Sequence, residues 1–345
     1  MRAIIHTENG DASVLRLVDR AVPEPGAGEV RVKVAVSGVN PTDWKNRSGA
    51  TGDGAGVETV PNQDGAGTVD ALGTGVDSLA VGDRVWLTLA AYQRPSFGTA
   101  QEFTVLPVER VFRLPPGASF ELGASIGVPA VTAYRALTVA EDGPTRLHPG
   151  ALDGRVVLVA GGAGAVGNAA IQLARWAGAT VIATVSGQPK AALAAAAGSH
   201  HVVNYTDADA ASQIRALAPS GVDLVVEVAV GVNAELDLSV LKTRGTIAVY
   251  ANNGAQLMTV DIRRNMGLNA RYQFILLYTM DGDTLAHAAE DINAAITAGA
   301  FGVGDDVGLP LHRFRIEDTP EAHRAVESGA VGKVLVTVDR GLASE

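Results

Sequence analysis

The chain predicts an α/β protein of two domains: an antiparallel, barrel-like β domain, then a doubly wound parallel sheet flanked by helices. Three observations carry this. Residues 1 to about 122 are strand-rich, with period-two alternation in EVRVKVAVSGVN at 29–40. From about 123, helical stretches alternate with uniformly apolar strands such as DLVVEV at 223–228 and GTIAVY at 245–250. Between them VVLVAGGAGAVG at 156–167 runs a β-branched strand straight into a glycine-spaced turn, followed by the helical AAIQLARWAG. With 345 residues, 47% of them apolar, the chain can bury two cores.

In the first domain, short strands follow at GAGTVDALG, DRVWLT and EFTVLP, separated by Gly, Pro and Asp turns. The glycine-rich ATGDGAG at 50–56 reads as a mobile loop. After about 299 the pattern changes again, to strand-like LHRFRI, a short helix in TPEAHRAVESG and a closing strand KVLVTV. That tail is expected to return and complete the first domain, giving 1–122 with 299–345, and 123–298. The alanine run at 191–197 is a strong helix former.

Gly162, Gly164 and Gly167 fit the spacing GxGxxG. The first glycine permits the tight turn, the second lets a pyrophosphate approach the backbone, and the third lets helix and strand pack closely. The helix N-terminus then offers free amides and a positive dipole end, so a dinucleotide is expected here. The next strand is TVIATV, and an NAD-preferring site would place an acid near its end to hold the ribose hydroxyls. This chain has Ser186 and, within one turn, Lys190, a hydroxyl and an ammonium suited to a 2′-phosphate. NADPH is therefore expected over NADH, with Tyr205 as a further wall of the adenosine-phosphate pocket. The alternative is that Lys190 is a solvated residue of the following helix and Tyr205 only packing.

A net charge of −10 with no basic block argues against nucleic acid and anionic lipid as partners. The opening MRAIIHTENG turns polar after five residues, unlike a secretory signal, and no run is long and apolar enough for a membrane span, so a cytoplasmic location is expected. Zero cysteines remove disulfides, thiolate nucleophiles and every cysteine-containing zinc site. The seven histidines show no HxxxH or HExxH pairing, and there is no GxSxG elbow, so no metal is expected and the chemistry falls to the cofactor.

The opening MRAI, SGVNPTDWKNRSG at 37–49, GVDSLAVGDRVW, GVPAVTAYRAL, the glycine-turn segment and the closing SGAVGKVLV, in this order and spacing, span nearly the whole chain. Together they resemble the zinc-free quinone oxidoreductases, the zeta-crystallin-like branch of the medium-chain dehydrogenase/reductase superfamily. The resemblance implies a GroES-like catalytic domain built from both chain ends, a central Rossmann domain, an active site in the cleft between them, and a homodimer, or a tetramer, joined through Rossmann sheet edges. Zinc-dependent relatives carry a Cys where this chain has Asn40, and Gly-His-Glu where it has Asn62, Gln63 and Asp64. Loss of zinc removes the Lewis acid for alcohol oxidation but leaves reduction of conjugated acceptors feasible.

Carried over by position, the resemblance puts Asn40 near the nicotinamide ribose or the reacting face and Thr132 on the nicotinamide phosphate side. It puts Ala163, Gly164, Ala165 and Val166 in the pyrophosphate loop, and Ser186, Lys190 and Tyr205 around the 2′-phosphate. Asn233, the loop Tyr250, Ala251, Asn252 and Asn253, and the stretch Phe274, Ile275 and Leu276 line the nicotinamide end. Ordinary core strand is the alternative for that last stretch, and local turn bonding for the two asparagines.

Three departures accompany this. Thr51 stands where many relatives have a tyrosine, and Ala100 where they have an aromatic, so an aromatic wall or proton donor is missing. Trp44 is the candidate replacement as a stacking surface, or else packing. The linker 141–154 is some eight residues longer than usual, altering a rim or a subunit contact or merely extending a loop. The expected function is NADPH-dependent, zinc-independent reduction of quinones or other activated double bonds, with Asn40, Trp44 and Thr51 as the catalytic candidates. The alternatives are a 2-enoyl thioester or enone reductase using Lys45 and Arg47 for a carrier phosphate, and an NADPH-binding structural or regulatory protein of low turnover.

Overall fold

The computed structural model describes residues 1–50 and 56–343. In chain order, strands β1 (Arg2–Ile5), β2 (Arg16–Asp19) and β3 (Glu29–Val39) precede helix α1 (Pro41–Ser48). Strands β4 (Asp64–Leu72), β5 (Arg84–Leu87), β6 (Phe103–Pro107) and β7 (Val111–Arg113) follow, then α2 (Phe120–Leu137). Next come β8 (Val156–Ala160), α3 (Ala165–Trp176), β9 (Thr180–Val185), α4 (Gln188–Ala196), β10 (His201–Asn204), α5 (Ala210–Leu217), β11 (Val222–Glu227), α6 (Val230–Val240) and β12 (Leu241–Val249). The chain continues through α7 (Ile262–Leu268), β13 (Arg271–Phe274), α8 (Gly282–Thr297), β14 (Leu311–Arg315), α9 (Thr319–Glu327) and β15 (Lys333–Thr337).

Two compact units result, Met1–Val128 with Leu311–Glu345, and Pro129–Pro310. The divisions fall later than the sequence suggested at 122 and 298. Residues 299–310 stay with the second unit because two polar side chains of α3 hold their backbone. Gln172 exchanges hydrogen bonds with Gly302, donating to its carbonyl at 3.0 Å and accepting its N–H at 2.9 Å, while Asn168 donates to the Val307 carbonyl at 2.7 Å.

The first unit is a seven-stranded sheet, ordered β14-β15-β3-β4-β5-β7, with β6 also on β3, beside the β1-β2 pair. In the first half of β3, Val30, Val32 and Val34 are buried while Glu29, Arg31 and Lys33 keep partial exposure, as period two requires. Its second half is buried throughout, where β15 and β4 flank it. The C-terminal tail does return: Val334 pairs with Val39 and Val336 with Ser37, both antiparallel.

The second unit is a six-stranded parallel sheet in the order β10-β9-β8-β11-β12-β13. Counted from β8, that is the Rossmann order 3-2-1-4-5-6, whose reversal between β8 and β11 opens a crevice at the strands' carboxyl ends. Central strands such as β11 are covered on both faces, which is why they read as uninterrupted apolar runs. Among the described residues no helix is long and apolar enough to cross a membrane.

Candidate active site

The glycine turn has the geometry its spacing implies. Gly161 adopts φ +69° at the end of β8. A Cβ on Gly162 would lie 2.8 Å from Ala183 Cβ, and one on Gly167 would lie 2.3 Å from the Gly161 carbonyl oxygen. Both glycines are therefore required by packing. At Gly164, the N-cap of α3, a Cβ would meet only the Gly161 oxygen at 3.4 Å. Here the backbone is open, and no side chain caps the helix. The first amides of α3, from Ala165 and Val166 beside buried Ala163, are thus available to an anion, and the cradle fits a dinucleotide pyrophosphate.

Beyond β9, Lys190 donates to Ser186 Oγ at 3.2 Å, both side chains being exposed. Tyr205, 44% exposed, has its N–H on the Val185 carbonyl, which sets it at the end of β10 next to the end of β9. The structure brings these three to adjacent strand ends with no acid among them. Thr132 is buried on α2.

At the ends of β11, β12 and β13, Tyr250, Ala251, Asn252, Phe274 and Ile275 line one cavity of about 230 Å³ with Val230 and Met258. Phe274 and Leu276 are 62% and 59% exposed, so the alternative of a buried core strand does not hold for them. Asn252 donates to Gln256 Oε1 at 2.9 Å, a local bond, and the Asn253 N–H goes to the Val228 carbonyl. Sequence reasoning missed what organises this end: Glu227, fully buried, accepts the Ala229 N–H, Asn233 Nδ2 at 3.0 Å and, through its carbonyl, the Tyr250 N–H. Burial pushes the Tyr250 hydroxyl pKa up, and the Glu227 charge adds to it. An acid inside the apolar run DLVVEV was the available signal.

In the first unit Asn40 is 2% exposed, and both ends of its side-chain amide have a partner. Its Nδ2 donates to Asp64 Oδ2 at 2.7 Å and its Oδ1 accepts from Lys333 Nζ at 2.8 Å, while Lys333 also reaches Asp64 Oδ2 at 2.9 Å. Asp43 receives the Asn40 N–H at 2.7 Å, and burial, with Asp64 nearby, pushes its carboxyl up to about 8. Trp44 is half-buried, with Lys45 Nζ 5.9 Å from its ring centroid. Arg47 is fully buried and paired with Glu327 at 2.6 Å, which withdraws it from the surface phosphate site considered above. Thr51 and nearly all of the 50–56 loop lie outside the described residues. Lys333, opening KVLVTV, carried no sequence signal beyond a charge at a strand start.

The long linker is tied down rather than loose. Glu141 and Asp142 pair with Arg271 at 2.6 and 3.0 Å, Asp142 with Arg244 at 2.9 Å, and Arg146 makes three hydrogen bonds to the Asp291 carboxylate.

A phosphate-cradling Rossmann unit and a GroES-like unit with a buried polar centre define a nicotinamide-dependent oxidoreductase of the medium-chain type. Residues 165–292 match the family described as zinc-binding dehydrogenase, and 26–116 the alcohol dehydrogenase GroES-like domain. The quinone oxidoreductase of Lama guanicoe is 30% identical over 97% of both chains, and the human one 29% identical over the same share. A mycobacterial quinone oxidoreductase structure superposes with TM-score 0.84 at 30% identity, covering 98% of this chain and 100% of that one. A mycobacterial structure in complex with NADPH gives 0.82 at 30% identity with the same coverage. The chain belongs to the zeta-crystallin-like quinone oxidoreductase family of the medium-chain dehydrogenases/reductases.

The zinc in that family description does not fit the residues present. Asn40 stands at the relatives' cysteine position and Gln63 at their histidine; Gln63 Oε1 accepts the Ala91 N–H at 3.1 Å, and the Lys333 ammonium holds Asn40 Oδ1 and Asp64 Oδ2. Among the described residues no three His, Asp or Glu side chains gather as a metal site.

Proposed function

We propose that this protein is an NADPH-dependent reductase of quinones and other activated, conjugated double bonds, acting in the cytoplasm without zinc. The observation that carries the reading is the open glycine cradle at Gly164 together with the acid-free Ser186–Lys190 pair at the end of β9. Bound NADPH supplies the hydride. The amides of Ala165 and Val166 hold its pyrophosphate, and Ser186, Lys190 and Tyr205 its 2′-phosphate. Thr132, Asn233 and the 250–253 and 274–276 backbones orient the nicotinamide end. A quinone or enone accepting hydride becomes a delocalised anion, so the protein need only align it and offer hydrogen-bond donors. Asn40 supplies such a donor, Trp44 a stacking face, and solvent the proton.

A second copy of the chain is the expected partner, seated on β13. That edge strand ends in exposed Phe274, and Leu257, Ile262 and Met266 near it are 86%, 71% and 67% exposed. Sedimentation should give a dimer or tetramer that Phe274→Lys weakens.

The deciding experiment is initial-rate oxidation of NADPH and NADH with an ortho-quinone, a para-quinone, a simple enone and a 2-enoyl-coenzyme A. Quinone turnover with NADPH preferred is expected. Turnover with the thioester alone moves the enzyme to the enoyl reductases, and tight NADPH binding without turnover to a binding role.

A further inference from the structure

Asn40 follows β3 and caps α1, and an asparagine there ordinarily turns its side-chain oxygen back onto the helix amides. Here the Asp43 N–H donates to the Asn40 main-chain carbonyl at 3.0 Å. The Asp43 carboxyl group accepts the Asn40 N–H at 2.7 Å, and the two ends of the Asn40 amide meet Lys333 and Asp64. All three side chains are 2% exposed or less. Space has been cleared for them. A Cβ on Gly38 would lie 3.0 Å from Lys333 Cε, and one on Gly127 would lie 2.4 Å from Asp64 Oδ1, which accepts the Val128 N–H at 2.7 Å.

An ammonium can only donate. Held 2.8 Å from Oδ1, it dictates which way the Asn40 amide points and sends Nδ2 to the opposite side. Asp64 takes one hydrogen of Nδ2 at 2.7 Å, leaving the second without an acceptor. Charge on the carbonyl side polarises the amide and strengthens that second N–H as a donor. A buried ion pair adds little to stability over well-packed apolar side chains, so stability alone does not account for it.

We propose that Lys333 is a positioning residue standing where zinc relatives hold their metal: through Asn40 Oδ1 it orients and polarises the Asn40 N–H toward the oxygen of the bound acceptor. This rests on the reading that Asn40 acts on the acceptor. Asp64 balances the charge and fixes the other half of the amide.

The test compares wild type with Asn40→Ala, Lys333→Met and the double variant Asp64→Asn/Lys333→Met, using phenanthrenequinone and NADPH. Lys333→Met alone leaves Asp64 buried and unpaired and is prone to unfold, whereas the double variant leaves no such charge. Expected for the double variant is a folded protein with kcat lowered about tenfold or more and KM for NADPH within about twofold, the pattern of a lost transition-state contact. Adding Asn40→Ala to it should produce no further loss, because both changes remove one device. Independently of turnover, the Asn40 side-chain amide proton resonances, identified by their loss in Asn40→Ala, should exchange faster with solvent in the double variant. A folded double variant with wild-type kcat and unchanged exchange overturns the proposal while leaving Asn40 in place. Wild-type kcat in Asn40→Ala overturns the reading of Asn40 and the proposal with it.

Discussion

Glu227, closing β11, and Asp237, on α6, meet as two buried carboxyl groups in hydrogen-bond contact. Glu227 Oε2 and Asp237 Oδ2 are both buried without a donor, and one proton shared between the groups supplies it. Burial raises both pKa values, and for Asp237 the neighbouring Glu227 charge raises it further. The unfolded chain releases this proton at about pH 4. Stability from the pair is therefore complete below that pH and is lost as pH rises through the folded value. Asp237→Asn replaces the shared proton with a permanent donor. Urea unfolding should show the variant gaining on wild type as pH rises from 5 to 8. A difference independent of pH would show that no proton is shared.

His323 predicts the opposite slope. Its Nε2 donates to Asn62 Oδ1 at 2.9 Å, its Nδ1 is buried without a partner, and burial, with the Arg47 and His6 charges, lowers its pKa to about 3. The unfolded chain takes up a proton near pH 6.5 that the folded state refuses, so this stability is full above that value and falls with pH. Between pH 7 and pH 5 the loss is about 2 kcal/mol. His323→Gln should remove that component from the wild-type pH profile, and an unchanged profile would contradict it.

Lys190→Ala should weaken NADPH binding by about 1.5 to 3 kcal/mol, the scale of a hydrogen bond to a charged group, and leave NADH nearly unchanged. Titration of each cofactor by fluorescence measures this. Equal losses would leave Lys190 as a solvated helix residue.

Gly164 and Gly167 should separate into two behaviours. Gly164→Ala adds a methyl where only the Gly161 oxygen lies, at 3.4 Å, so thermal stability should hold within about 0.5 kcal/mol while NADPH affinity falls about tenfold. Gly167→Ala forces a methyl to 2.3 Å from the same backbone oxygen and should destabilise the fold by about 1 to 3 kcal/mol. Calorimetry alongside cofactor titration distinguishes them, and similar behaviour of both would refute the division of roles.

Much of both units was legible because their signals are local. A β-branched run meeting Gly162 and Gly164 can only be a strand entering a tight turn, and period two in EVRVKV can only bury one face of β3. The returning tail was legible too, since KVLVTV has no helical period and needed a sheet to join. Less legible was the division of the chain, because Asn168 and Gln172 give no sign in sequence that they bind residues 302 and 307. Glu227 and Lys333 were passed over for a related reason: a lone charge in an apolar run shows that something buried must answer it, not what.

By itself, then, the sequence determined the strands, the glycine turn, the absence of an acid after β9 and the absence of cysteine ligands, all set by residue type and short-range backbone sterics. Only the tertiary structure decided that Lys333 would meet Asn40 and Asp64, 293 and 269 positions away. That meeting depends on β15 pairing with β3, and β3 with β4. Such partnerships come from sheet neighbours chosen by the whole fold, because a buried charge must find its partner in space and the chain carries no local mark of which one it will be.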